Sequence, residues 1–166
     1  MMAGHVHTFS VQAMVRGYHI YKSIWDAACD GEILPCTREV GNPHDPSSVA
    51  VNRGTVVVGH VPRMLSTVCS IFICRGGTIS CRVNGSWHYS SDLPQGGLEV
   101  PCILTFSTSD ACESENTKKL VESSLALSVK VTVSATSAGD EKIASSSSGK
   151  VQCSTNTKCS ASWKPY

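Results

Sequence analysis

Apolar and polar residues alternate from Phe9 to Val15, with Phe9, Val11, Ala13 and Val15 interleaved by Ser10, Gln12 and Met14. That period of two predicts a half-buried strand. Ile33 to Arg38 and Ser48 to Asn52 are weaker strands of similar length. Val51 to Val57 reads as a hairpin, because Arg53-Gly54 separates two β-branched runs and supplies a turn glycine. After Pro62 the period changes. Leu65, Val68, Cys69 and Phe72 fall at i, i+3, i+4 and i+7, with Pro62 fitting the first helical turn and Gly76-Gly77 the stop.

A shorter helix is expected from Ser23 to Cys29, capped by Ser23 and ended by Asp30-Gly31. Thr78 to Val83, the turn Asn84-Gly85 and Ser86 to Ser90 predict a second hairpin, and Leu98 to Phe106 a last strand. The expected fold is mainly β with minor α. Its architecture is a small OB-like β-barrel of about six strands with one or two short helices.

Composition changes after Phe106, since 21 of the 60 residues from Ser107 to Tyr166 are Ser or Thr. Such a stretch has little apolar surface to offset its ordering entropy. The chain therefore divides into a lead over 1–8, a β-barrel domain over 9–106 and a largely flexible tail over 107–166. Within the tail, Leu125, Leu127, Val129, Val131 and Val133 alternate with smaller or polar residues. This predicts a strand over 125–133.

Charge narrows the functional classes. Fourteen Lys and Arg against 13 Asp and Glu leave a net charge of +1, so no overall field draws the chain to phosphate or to a membrane surface. Any nucleic-acid binding must come from a local cluster. No basic, apolar leader opens the chain and no run approaches ~18 apolar residues, so it reads as soluble and intracellular, the nucleus included. Nine cysteines, odd in number and irregular in spacing, read as mostly reduced thiols.

Three clusters carry candidate chemistry. Gly41-Asn42-Pro43-His44-Asp45 is either a structural turn, with Asn42 and Asp45 bonding nearby backbone, or a turn that presents His44 and Asp45 to a ligand hydroxyl. Gly59-His60-Val61-Pro62-Arg63 sits where a strand meets a helix N-terminus. Arg63 there is either a solvated first-turn residue or a phosphate contact beside free backbone N–H groups. Arg16-Gly17-Tyr18-His19-Ile20-Tyr21 sets an arginine beside aromatics, which are either core residues with polar tips or a platform for bases.

The order of these segments resembles the signature of HIRAN domains: Val15-Arg16-Gly17-Tyr18, Arg38-Glu39, Asn42-Pro43-His44-Asp45, Ser48-Val49-Ala50-Val51 and Val58-Gly59-His60-Val61-Pro62-Arg63. Gly96-Gly97-Leu98-Glu99-Val100-Pro101-Cys102 resembles a subgroup in which the domain stands alone in short proteins. The resemblance covers about 100 residues and implies an OB-like barrel that grips one DNA strand by its free 3′-hydroxyl end. It implies Arg16, His60 and Arg63 near phosphates, Asp45 on the terminal hydroxyl, Tyr18 or His44 against a base, and Asn42 in the same turn. Gly17 and His44 stand where the DNA-binding member of the family carries aromatics.

Other chemistry is poorly supported. No Gly-x-x-x-x-Gly-Lys-[Ser/Thr] sequence is present, and the chain is too short for the ATPase that often accompanies this domain. For zinc, Cys69 and Cys74 lie on the apolar helix, while His5 with His7 and Cys153 with Cys159 offer only adventitious pairs. Asn84-Gly85-Ser86 matches a glycosylation acceptor but is better explained as the hairpin turn. The expectation is a binding module without catalysis or cofactor, its partner a single DNA strand or a 3′ end. The alternative is a protein-interaction module that uses the tail, and the least supported reading is a zinc- or thiol-dependent enzyme.

Overall fold

The computed structural model describes residues 4–17, 30–91 and 97–134, the last seven of these by backbone alone. Seven strands and two helices are present among them: β1 (His7–Arg16), β2 (Ile33–Arg38), β3 (Val49–Arg53), β4 (Val56–His60), α1 (Arg63–Cys74), β5 (Thr78–Val83), β6 (His88–Tyr89), β7 (Leu98–Thr108) and α2 (Ala111–Ser134). Six strands close in the order β1-β4-β3-β2-β5-β7, with β7 returning to β1 and β6 added on β7. Every pairing is antiparallel. The mainly β barrel expected from the sequence is therefore present, and β2 and β5 have the predicted bounds.

Closure is uneven. β1 pairs with β7 from His7↔Thr108 to Arg16↔Glu99, whereas β1 meets β4 only at Arg16↔His60. Gly59 makes that approach possible, because a Cβ there would lie 2.3 Å from Val15 Cγ1 and 2.9 Å from the Arg16 carbonyl oxygen. The alternation read in β1 becomes a core-facing row: Val15 is buried, and Phe9, Val11 and Ala13, partly buried, pack against the core. Phe9 stacks on Phe106 at 4.6 Å, and Phe72 from α1 meets Phe106 edge-on at 5.4 Å.

The β3–β4 hairpin turns at Gly54, whose φ is +62°. The predicted second hairpin does not form: β5 and β6 pair with successive stretches of β7 instead of with each other. Asn84 N donates to Pro101 O on β7 at 2.9 Å, and Gly85 (φ +125°) lets the chain run on beside that strand.

The strand predicted over 125–133 is corrected to helix, as part of α2. Asp110 starts it, its Oδ1 accepting from Cys112 N at 2.8 Å and Glu113 N at 3.2 Å as an N-cap does. Thr117 and Val121 are buried and Leu125 packs on the core, an i, i+4, i+8 stripe that outweighs the shorter alternation. The folded part thus continues past Phe106, where composition placed its end. The expected helix over 23–29, Tyr18 and the Ser-rich residues after Ser134 lie outside the described residues.

Candidate functional site

The described members of the three clusters, Arg16 and Gly17 in the case of the third, converge where β1, β4 and the start of α1 meet. The cross-strand pair Arg16↔His60 puts the third and second clusters side by side. Glu39, just after β2, joins the second to the first: its Oε2 accepts from Asn42 Nδ2 at 2.6 Å, His60 Nε2 at 3.0 Å and Ser48 Oγ at 3.1 Å. Asp45 ties the turn to α1, with Ser66 Oγ 2.9 Å from its Oδ2 and Ser47 N donating to its Oδ1 at 2.9 Å.

Local rules explain the turn. Asn42 Oδ1 accepts from His44 N at 2.9 Å and Asp45 N at 3.3 Å, an Asx turn that Pro43 stiffens between them. His44 is left exposed, its side chain directed away from the core. The segment is a bonded turn with His44 exposed. Asp45 is only partly buried, and each of its oxygens keeps a lone pair for a further donor.

Arg63 opens α1 and is exposed, with no ion pair or side-chain hydrogen bond among the described residues. Pro62 precedes it, no side chain caps the helix, and no acidic residue occupies its first turn. The first turn thus lacks a side-chain cap, and the carboxylate that meets it is that of Asp45, through Ser66. Arg16 is half-buried and lies 3.7 Å from the buried carboxylate of Glu99. A cleft of about 300 Å³ adjoins Arg16, floored by Met14, Pro62, Met64, Pro101 and Leu125.

Electrostatics fix the role of Glu39. The hydrogen bond from Asn42 pulls its carboxyl below the ordinary value of 4.5, burial opposes this, and bonds from His60 and Ser48 and the charge of His60 add to the lowering. A carboxyl with a lowered folded-state pKa contributes stability above its unfolded value and loses it as pH falls through the folded value. Glu39→Gln should therefore lower the melting temperature at pH 7, and wild type and variant should converge as the pH is taken below the glutamate range. A constant gap from pH 7 to pH 3 in thermal melts would show that the charge of Glu39 holds nothing in place.

Three buried cysteines, Cys36, Cys69 and Cys81, are held as thiols. Burial, with Cys69 and Cys102 nearby, pushes the Cys36 thiol up; burial pushes Cys69 up to about 12; a bond with Cys102 and then burial push Cys81 up. All three stay protonated at neutral pH. Cys69 and Cys74 diverge, one buried and the other exposed at the end of α1 beside Arg38. No group of three or more His, Cys, Asp or Glu among the described residues is arranged to hold a metal, and no described helix is long and apolar enough to cross a membrane.

Glu39, Ser48, Ser66 and Glu99 belong to this region and escaped the list of candidates. Ser66 left a signal, a polar residue on the apolar face of the predicted helix. Glu99 left another, an acid amid the apolar run of the last strand. An exposed aromatic pair was also missed: Trp87 and Tyr89, edge-to-face at 5.9 Å, stand at β6.

The fold is that of HIRAN domains. The crystal structure of the HIRAN domain of human HLTF superposes with a TM-score of 0.57 at 17% identity, covering 74% of this chain and 95% of that one. The NMR structure of the HLTF HIRAN domain in its DNA-bound conformation gives 0.51 at 18% identity, over 72% and 91% of the two chains. No family model and no curated protein matches the chain.

Proposed function

We propose that the protein is a non-catalytic module that binds one nucleic-acid strand, with a free 3′-hydroxyl end as its preferred target. The observation that carries this reading is the gathering of Arg16, His60, the Asn42–Asp45 turn and the uncapped start of α1 by the Glu39 and Asp45 bonds. The arrangement suits a strand chemically. Arg63 and the N–H groups of α1 take one phosphate, Arg16 and His60 a second, and Asp45 accepts from the terminal hydroxyl. His44 supplies a flat surface for a base where Gly17 has none. The DNA-bound conformation of the HLTF domain, which shares the fold, supports the same reading.

Arg63→Ala is the cleanest test, because this side chain holds no other part of the described structure together. It should weaken binding of a short labelled single strand about tenfold, as expected for a charge-assisted phosphate contact. The logarithmic salt slope should fall by about 0.7, as for one lost contact to a single strand. Unchanged affinity and slope in fluorescence polarisation would remove Arg63 from the interface.

A second reading, a protein-interaction module, draws on α2. Leu120 and Leu127 are exposed seven residues apart on this helix, an apolar line of the kind that docks in a partner's groove. A truncation that separates the two readings must begin after Ser134, because α2 supplies Val121 to the core.

A further inference from the structure

Four ionisable side chains stand at one level across four neighbouring strands. Arg16 on β1 is opposite His60 on β4 and Glu99 on β7, and Glu99 is opposite His88 on β6. Directly paired residues project to the same face of a sheet, so the order along that face is His60, Arg16, Glu99, His88. Glu99 is the buried member, 5% exposed. Its Oε1 lies 3.2 Å from His88 Nε2. Its Oε2 accepts no hydrogen bond among the described residues and faces the Arg16 guanidinium at 3.7 Å. One carboxylate is thus shared between a permanent cation and an imidazole.

We propose that Glu99 is a positioning residue for Arg16, and that His88 sets how much of the Glu99 charge a phosphate at Arg16 meets. The proposal rests on the reading of Arg16 as a phosphate contact. A buried carboxylate strongly favours a cation beside it, so Glu99 holds the guanidinium in one place and spares a ligand the entropy of ordering it. The same negative charge opposes an incoming phosphate. A protonated imidazole at His88 can donate a charge-assisted bond to Glu99 and offset its charge. Phosphate at Arg16 then meets a net positive site, so binding strengthens as pH falls. Among the described residues, Glu99 faces Arg16 and His88, Arg16 faces Glu99 and pairs across the strands with His60, and His60 faces Glu39. His60 can add a pH response of its own, which the test must separate.

The full chain is titrated with a labelled short single strand at pH 8 and pH 6. His88→Gln, a change at a half-exposed side chain, should bind as wild type does at pH 8 and lose about fivefold of the affinity that wild type gains at pH 6. In a Glu99→Gln background the same His88 change should have no further effect, since the two act through one interaction. A readout without ligand accompanies these: the Arg16 Nε–H signal in NMR should show an ordered side chain in wild type and an averaged one in Glu99→Gln. Full pH response in His88→Gln, or an Arg16 signal indifferent to Glu99, would overturn the proposal. Failure of the wild-type chain to bind any strand would instead sink the strand reading, and the NMR signal would still decide whether Glu99 positions Arg16.

Discussion

Replacing Gly59 by alanine should cost the fold about 2–3 kcal/mol, as overpacking at a close contact does, and lower the melting temperature by roughly 10 °C. The added methyl would overlap Val15 Cγ1 at 2.3 Å and crowd the Arg16 carbonyl oxygen at 2.9 Å. Neither can retreat easily, since Val15 is 1% exposed and the carbonyl belongs to the β1 backbone. The clash falls at the pair through which β1 meets β4, so relief must part Arg16 from His60. Strand binding measured well below the melting temperature should therefore fall as well. A variant that melts within ~2 °C of wild type would mean the two strands have slack that the structure does not indicate.

Phe72→Ala should be more damaging still, at about 3–5 kcal/mol, the usual range for removing a buried phenylalanine. The ring is 1% exposed and meets Phe106, and a Cβ on Gly77 would lie 2.4 Å from its edge. Its neighbours are already in contact around it and have little scope to collapse into the space. Domains hold only about 5–15 kcal/mol in total, so this one residue represents a large share. Urea denaturation should show a lower midpoint at unchanged slope, with Phe72→Leu recovering much of the loss. A midpoint shift under ~0.3 M would contradict the packing described.

Most of the barrel was legible because its signals are local. β5 and α1 are each announced by a local pattern and a flanking breaker, and β1 by its period of two, whereas β2 was the weaker signal. What escaped depends on competition between signals or on distant partners. In α2, a period-two run from Leu125 was set against a cap at Asp110 and a stripe through Thr117 and Val121, and the earlier helical signals won because they nucleate the element and bury it. The Asn84-Gly85 pair looked like a hairpin turn, but Pro101 on β7 accepted the bond that a hairpin would have kept.

The candidate site divides in the same way. Asn42, Asp45, His60 and Arg63 were visible as polar residues at a turn and at a helix start, places where the backbone itself calls for such residues. Glu39 and Glu99 were not, because each acquires its meaning from residues on other strands: His60 for one, Arg16 and His88 for the other. No spacing along the chain encodes such a meeting. Tyr18, which the resemblance sets against a base, lies outside the described residues and is open to test only by substitution.

The most direct measurement compares two oligonucleotides that differ at one end. Fluorescence polarisation of the full chain at low salt should give tighter binding to a short single strand with a free 3′-hydroxyl than to the same strand carrying a 3′-phosphate, by about tenfold if Asp45 accepts from that hydroxyl and is repelled by the phosphate. Equal affinity for the two ends would contradict end recognition, and no binding to either strand would contradict the strand-binding account as a whole.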